Sequence, residues 1–189
     1  MPPTPDRPLT ARFAAWDGST VEDVVVRADG DGLTAEGRVV RAPDGAHDVH
    51  WVLRLDEAWR VRQLLLFRDL DAPDLWIGHD GGGGWGEING AHRPELDGCT
   101  AIDLVCTPLT TTLAVKHLAG LEAGNSGVVT VVAVDPATLG VVAATQRWTR
   151  LGARGWHLDD DTAPGGGWEV VVDDDDLAVD AVGRFRRLA

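Results

Sequence analysis

An aspartate set alone in an apolar run, and a row of hydroxyls just beyond it, are the residues of this chain best placed to do chemistry. Asp103 stands between Ile102 and Leu104, and Thr107, Thr110, Thr111 and Thr112 follow around the bend at Pro108. Hydroxyls massed after a strand serve one of two ends. They bond their own backbone in a turn, or they form a polar lip that orients a ligand. In an extended segment the even spacing of Asp103 and Thr107 puts both on one face. Gln63 falls on the apolar side of an alternating segment, so it is either satisfied inside a core or turned toward a cavity, where it can join Asp103 and Thr107.

Other motifs carry less. Residues 81–86 match Gly-x-Gly-x-x-Gly, but Trp85-Gly86-Glu87-Ile88 reads as a strand where a dinucleotide site needs a helix. His47, Asp48, His50, His79 and Asp80 lack chelate spacing, so no metal is expected. The acidic runs 159–161 and 173–176 lack the glycine-spaced ligands of a calcium loop and read as solvated turns. No nucleophile elbow exists. A carboxylate pair, Asp103 with Glu87 or Glu169, is the one enzymatic arrangement to weigh. No cofactor is called for.

The elements that must position these groups are strands. The chain has 189 residues, with 44% hydrophobic and 25% charged, enough for one domain with its own core. Seven Asn-Gly or Asp-Gly steps punctuate short β-branched runs, the pattern of an all-β chain. The clearest hairpin joins residues 49–55, where Val49, Trp51, Leu53 and Leu55 alternate, to residues 59–68. In the second arm Trp59, Val61, Gln63, Leu65 and Phe67 share the expected inner face. Turns fall at residues 29–32 and 43–45. Residues 107–118 offer the nearest thing to a helix, with Thr107 as N-cap and Pro108 in the first turn. Three adjacent threonines weigh against it, so the segment is expected to be extended or irregular. Residues 1–10, with four prolines, are expected to be a disordered tail before one domain over 11–189.

Net charge is −13, which excludes a phosphate-binding nucleic-acid surface. No apolar run reaches the length of a membrane span, so no integral membrane segment is expected. The two cysteines, Cys99 and Cys106, face opposite ways in an extended segment and read as free thiols of a reducing cytoplasm. Eight tryptophans without a tyrosine offer large apolar faces, each with one N–H donor.

Several stretches, in order, resemble a bacterial family described as putative glycolipid-binding. They are Trp16, Ala58-Trp59-Arg60-Val61-Arg62, Leu96-Asp97-Gly98-Cys99, Asp103, Thr107-Pro108, Thr110, Thr112-Leu113, Gln146-Arg147-Trp148, and Asp180, Gly183, Phe185, Arg186 and Arg187. The chain departs from that pattern with Leu109 for Phe, Thr111 for Asn, Ala114 for Pro, Val115 for Ile and Trp148 for Tyr, and with Ala181-Val182 for Tyr-Pro. The resemblance implies a spiral β-roll, similar to the half-barrel carriers that ferry lipoproteins across the bacterial periplasm.

Together these observations lead to an all-β, single-domain spiral β-roll or incomplete antiparallel β-barrel that binds a lipid or glycolipid-like small molecule without catalysis. An apolar cavity lined by Trp51, Trp59, Phe67 and Trp148 is expected, with Gln63, Asp103, Thr107, Thr110 and Gln146 near its mouth. Two alternatives remain open. One is an enzyme acting on a small hydrophobic substrate through a pocket carboxylate such as Asp103. The other is a scaffold with a filled core.

Overall fold

A computed structural model describes residues 7–30, 32–41, 49–68, 72–160 and 166–189. Its strands are β1 (Leu9–Ala15), β2 (Thr20–Asp29), β3 (Gly32–Arg41), β4 (Val49–Asp56), β5 (Val61–Phe67), β6 (Leu75–His79), β7 (Trp85–Glu87), β8 (Ala101–Leu104), β9 (Ser126–Asp135), β10 (Gly140–Arg150), β11 (Gly155–Asp159), β12 (Gly167–Val172), β13 (Ala178–Ala181) and β14 (Phe185–Leu188). One helix, α1 (Leu109–His117), lies between β8 and β9, and a 3-10 turn at Pro94–Leu96 precedes β8. Among the described residues no helix is long and apolar enough to cross a membrane.

All fourteen strands belong to one sheet, in the order β7-β6-β5-β4-β3-β2-β1-β14-β13-β12-β11-β10-β9-β8. The sheet is therefore two antiparallel meanders joined where β1 pairs with β14. It does not close, because β7 and β8 are its two ends. It curls nonetheless. Val24 of β2 and Trp51 and Leu53 of β4 share one core with Ile102 of β8 and with Val132 and Val134 of β9, from the opposite half of the strand order. Alternation drives this: along β2, Glu22, Val24 and Val26 are buried while Asp23 and Arg27 are exposed.

The expected hairpin is present as β4 and β5, with two changes. Trp59 lies in the turn, at φ 63°, rather than on the strand, although its ring is buried. A bulge also follows, since Arg54 pairs with Gln63 while Leu55 pairs with Val61. One extra residue exchanges the faces beyond it. Leu64 and Leu66 are thus fully buried, and Gln63, Leu65 and Phe67 stand on the other side, where Phe67 stacks on His50 at 5.3 Å.

Residues 109–117 are helical, against the expectation of an extended segment. Topology supplies the reason. β8 pairs with β9 in parallel, and parallel neighbours need a crossover, which α1 provides. The helix is buried almost all round: Leu109, Thr110, Thr112, Leu113, Ala114 and Val115 all lie inside. Leu109 and Leu113 join the core of Trp51, while Ala114 and Val115 join a second core built on Trp148 and Trp156. Thr112, fully buried, accepts the backbone N–H of Ala178 at 3.2 Å, so a threonine here replaces a missing ladder bond. At the other end of α1, Lys116 lies 4.5 Å from the Trp59 ring centroid. It donates to the carbonyl of Asp175 at 2.8 Å and pairs with Asp176, its side chain only 9% exposed.

Order begins earlier than expected, since β1 starts at Leu9; residues 1–6 of the expected tail lie outside the described residues. So do the turn at 43–45, Asp31 of the turn at 29–32, His47 and Asp48, and Asp161.

Gly37 of β3 sits between Val24 of β2 and Trp51 of β4. A β-carbon there would lie 2.3 Å from the Trp51 ring. The indole crosses β3 over that bare backbone. Gly37→Ala should accordingly destabilise the fold by at least ~1–3 kcal/mol through overpacking, seen as a lower urea midpoint at unchanged slope.

Candidate functional site

Glu22 occupies an inward position of β2 that its neighbours Val24 and Val26 mark as apolar, and it is 3% exposed. Its carboxyl is held from two sides. Trp51 Nε1 donates to Oε1 at 2.7 Å, across Gly37, and the Thr107 hydroxyl bonds Oε2 at 2.8 Å. Thr107 in turn accepts the N–H of Leu109 at 3.2 Å, capping the start of α1. Burial pushes the Glu22 carboxyl up from 4.5 to about 8, against the opposing pull of the bonds from Trp51 and Thr107.

A second carboxyl, far along the chain from Glu22 but on the wall of the same cavity, is held in the same manner. Asp103 of β8 accepts the Thr110 hydroxyl at 3.2 Å on Oδ1 and Gln146 Nε2 at 2.8 Å on Oδ2. Gln146 Oε1 accepts Trp148 Nε1 at 3.0 Å, so a fully buried indole is linked through an amide to the acid. Burial raises the pKa of Asp103, while Thr110, Gln146 and the guanidinium of Arg184 draw it back down. Each acid thus joins a buried tryptophan to a threonine beside Pro108.

Both acids line one cavity of about 530 Å³. Cys106, Thr107 and Thr111 share its polar surface, and Phe13, Val39, Leu104 and Phe185 supply apolar wall. At the opening stand Trp16, Trp168 and Arg184, the guanidinium lying 3.8 Å over the Trp168 ring. The backbone N–H of Trp16 donates to the carbonyl of Arg184 at 3.0 Å and fixes the two turns that carry them. Cys106 is no nucleophile. Burial, and then the charges of Glu22, Asp103 and Asp135, raise its pKa and keep it a thiol. Cys99 is likewise free and buried. Among the described residues no group of three or more His, Cys, Asp and Glu could hold a metal ion.

Of the residues singled out from sequence, Asp103 and Thr107 lie on the cavity wall, and Thr110 and Gln146 brace Asp103. Trp51 and Trp148 are buried in the two cores and support the acids rather than line a space. Trp59 lies under Lys116, while Gln63 and Phe67 face outward from β5 and do not meet Asp103. The apolar cavity expected around Trp51, Trp59, Phe67 and Trp148 is therefore filled, with α1 occupying the centre. Neither Glu87 nor Glu169 accompanies Asp103: Glu87 pairs with Arg93 at 2.9 Å, and Glu169 is exposed. The companion is Glu22, which its charged neighbours hide in the sequence. Its parity with Val24 and Val26 was the available signal. Trp16, Trp168 and Arg184 were not foreseen as a group, since only the curl of the sheet brings β1, β12 and the β13–β14 turn to one opening.

The fold and this site define a class: an unclosed, curled β-sheet wrapped round a helix, with a cavity of mixed polarity at one end. The chain belongs to the family described as putative glycolipid-binding, whose model matches residues 10–187. The crystal structure of a DUF1089-family protein from Pseudomonas aeruginosa is similar over 90% of this chain and 92% of that one, with 25% identity and a TM-score of 0.74. No curated protein matches the chain.

The raised pKa of Glu22 has a definite sign. The folded state holds the proton more tightly than the unfolded one, so this contribution to stability is full below about pH 4.5 and is lost as pH rises toward about 8. Glu22→Gln keeps the shape, with its amide oxygen facing Trp51 and its N–H groups facing Thr107. Urea titrations from pH 5 to 8 should show wild-type stability falling more steeply than that of E22Q; parallel curves would refute a protonated Glu22.

Proposed function

We propose that this protein binds, without catalysis, an amphiphile whose head group is neutral and rich in hydroxyls, that is, a lipid or glycolipid-like molecule. The observation that carries this is the pairing, in one cavity, of two braced carboxyls on the wall with two indoles at the opening. Carboxyls accept bonds from vicinal hydroxyls, and Glu22 in its protonated form also donates one. The faces of Trp16 and Trp168 suit the C–H faces of a sugar ring. A volume near 530 Å³ falls in the range of small-molecule sites and accommodates a head group with the first part of a chain. Phe13, Val39, Leu104 and Phe185 offer that chain apolar contact, at roughly 0.8 kcal/mol per methylene buried. The family description supports the same ligand class. Both thiols are free, which suits a cytoplasmic site of action.

A second reading rests on the same two acids. Proton-carrying carboxyls that share a cavity are the equipment of general acid–base hydrolysis. The bonds to Trp51, Thr107, Thr110 and Gln146 favour binding, because they hold each carboxyl in one orientation and still leave a lone pair on each oxygen for a ligand's hydroxyls. Short-chain alkyl glycosides below their micellar concentration separate the two: binding by calorimetry with the glycoside recovered intact supports the first, and release of free sugar supports the second. Native mass spectrometry of gently purified protein should carry a bound amphiphile. Asp103→Asn can still meet Thr110 and Gln146, so its melting temperature should hardly move. Its affinity for the glycoside should fall about 5- to 150-fold, the range expected when a buried hydrogen bond is mispaired. Absence of binding across a broad panel of amphiphiles would end both readings.

A further inference from the structure

The opening of the cavity has an unusual border. Three tight turns meet there, and each holds a large apolar residue at its second position, in the solvent. In Ala15–Gly18, closed by the N–H of Gly18 on the carbonyl of Ala15 at 2.9 Å, that residue is Trp16, 40% exposed. In Leu104–Thr107, closed at 3.0 Å, it is Val105, 64% exposed. In Ala181–Arg184, closed at 2.9 Å, it is Val182, 73% exposed. Gly183 follows it at φ 79°, the conformation a type II turn requires. Trp16, Val105, Gly183 and Arg184 all line the cavity, so the three turn tips surround one mouth. Turn chemistry does not ask for these residues. Proline, aspartate, asparagine and serine are the usual choices, and valine has no local bond to offer. Two turns elsewhere keep a polar residue there, with Glu57 and Asp174 at the equivalent positions of the β4–β5 and β12–β13 connections. Ile88 of Glu87–Gly90 departs from it too, but beside a separate cavity lined by Trp76, Leu139 and Val141.

Charge at the mouth also differs from that of the molecule. The chain carries −13 overall, yet Arg184 stands in the third turn and Arg186 lies 6.0 Å from the Trp16 ring, against Asp17 in the first turn. Exposed apolar tips flanked by guanidinium groups and an indole are the composition of a surface that enters the head-group layer of a bilayer.

We infer that the three turns carrying Trp16, Val105 and Val182 dock this protein on the surface of a bilayer containing anionic lipid, with the cavity mouth facing the membrane. This rests on the reading of the cavity as an amphiphile site, since docking of that mouth on a bilayer gives an anchored ligand direct access to the cavity. The apolar tips enter the interface, Arg184 and Arg186 meet lipid phosphates, and the acidic remainder of the protein is held toward water. The arrangement is continuous: the residues that line the opening are those that meet the lipid.

Flotation with vesicles of phosphatidylcholine and phosphatidylglycerol tests this. Wild-type protein should float with the vesicles at low salt and less so as salt rises. The triple variant W16S/V105S/V182S changes only exposed side chains, so its thermal melt should match wild type, while its vesicle partition coefficient should fall about tenfold or more, as expected for removing three apolar anchors. Ile88→Ser should partition as wild type does. Calorimetry with a monomeric alkyl glycoside keeps the two ideas apart, because Val182 is outside the cavity lining, so V182S should bind the glycoside like wild type while floating less than wild type does. Wild-type protein that binds the glycoside but stays off vesicles overturns the docking surface and spares the cavity. A triple variant that floats like wild type overturns it as well. Rim-dependent dimerisation without flotation would assign the surface to a second copy of the chain and overturn the membrane role.

Discussion

The carboxyl of Glu22 is the point on which the two halves of this molecule meet. It lies on β2, takes an N–H from Trp51 on β4, and bonds Thr107, 85 residues further along, at the threshold of the helix. An acid in an apolar layer is costly unless every lone pair is used. Here the cost is offset by an indole that reaches it only because Gly37 has no side chain, and by a hydroxyl that also caps α1. The first meander, the glycine, the tryptophan and the crossover helix thus form a single interdependent contact. Asp103 repeats the device on the other side of Pro108, with Gln146 and Trp148 in place of a direct indole bond.

The helix explains why the roll is not hollow. Curled sheets that stay open have to fill or solvate their interior. This one fills it with α1, whose all-round burial merges with the cores of both meanders. Space for a ligand is thereby displaced from the centre to one end, where the helix start, the end of β8 and the turns after β1 and β13 fail to pack completely. The cavity wall is polar at its base for the same reason: it is formed by the groups that tie the helix down.

Much of the architecture was legible in the residue pattern. Alternation marked β4 and β5, the Asp-Gly and Asn-Gly steps marked turns, and the all-β class followed. Two failures have clear physical causes. The segment Thr110–Thr112 discouraged a helix on local propensity, but burial overrode propensity, with Thr110 and Thr112 bonding Asp103 and the Ala178 amide from inside. Gln63 and Phe67 were assigned to the interior by a period that a single bulge interrupts, and no local residue announces that bulge. The site was half visible. Asp103 and Thr107 stood out as isolated polar groups, whereas Glu22 was hidden among charged neighbours, and the indoles of Trp16 and Trp168 come together only through the curl.

Lys116 is the one lysine in the chain. Its ammonium group is clamped between the Trp59 ring, the carbonyl of Asp175 and the carboxylate of Asp176, with little of the side chain reaching solvent. In the native state the one lysine is therefore hidden from amine-directed reagents, and an endoproteinase that cuts after lysine finds its sole target inside a helix. Acylation at Lys116 becomes a chemical clock for the opening of the loop–helix junction. Conjugation through lysine, the routine way to attach a dye or a bead, is blocked as long as the fold holds.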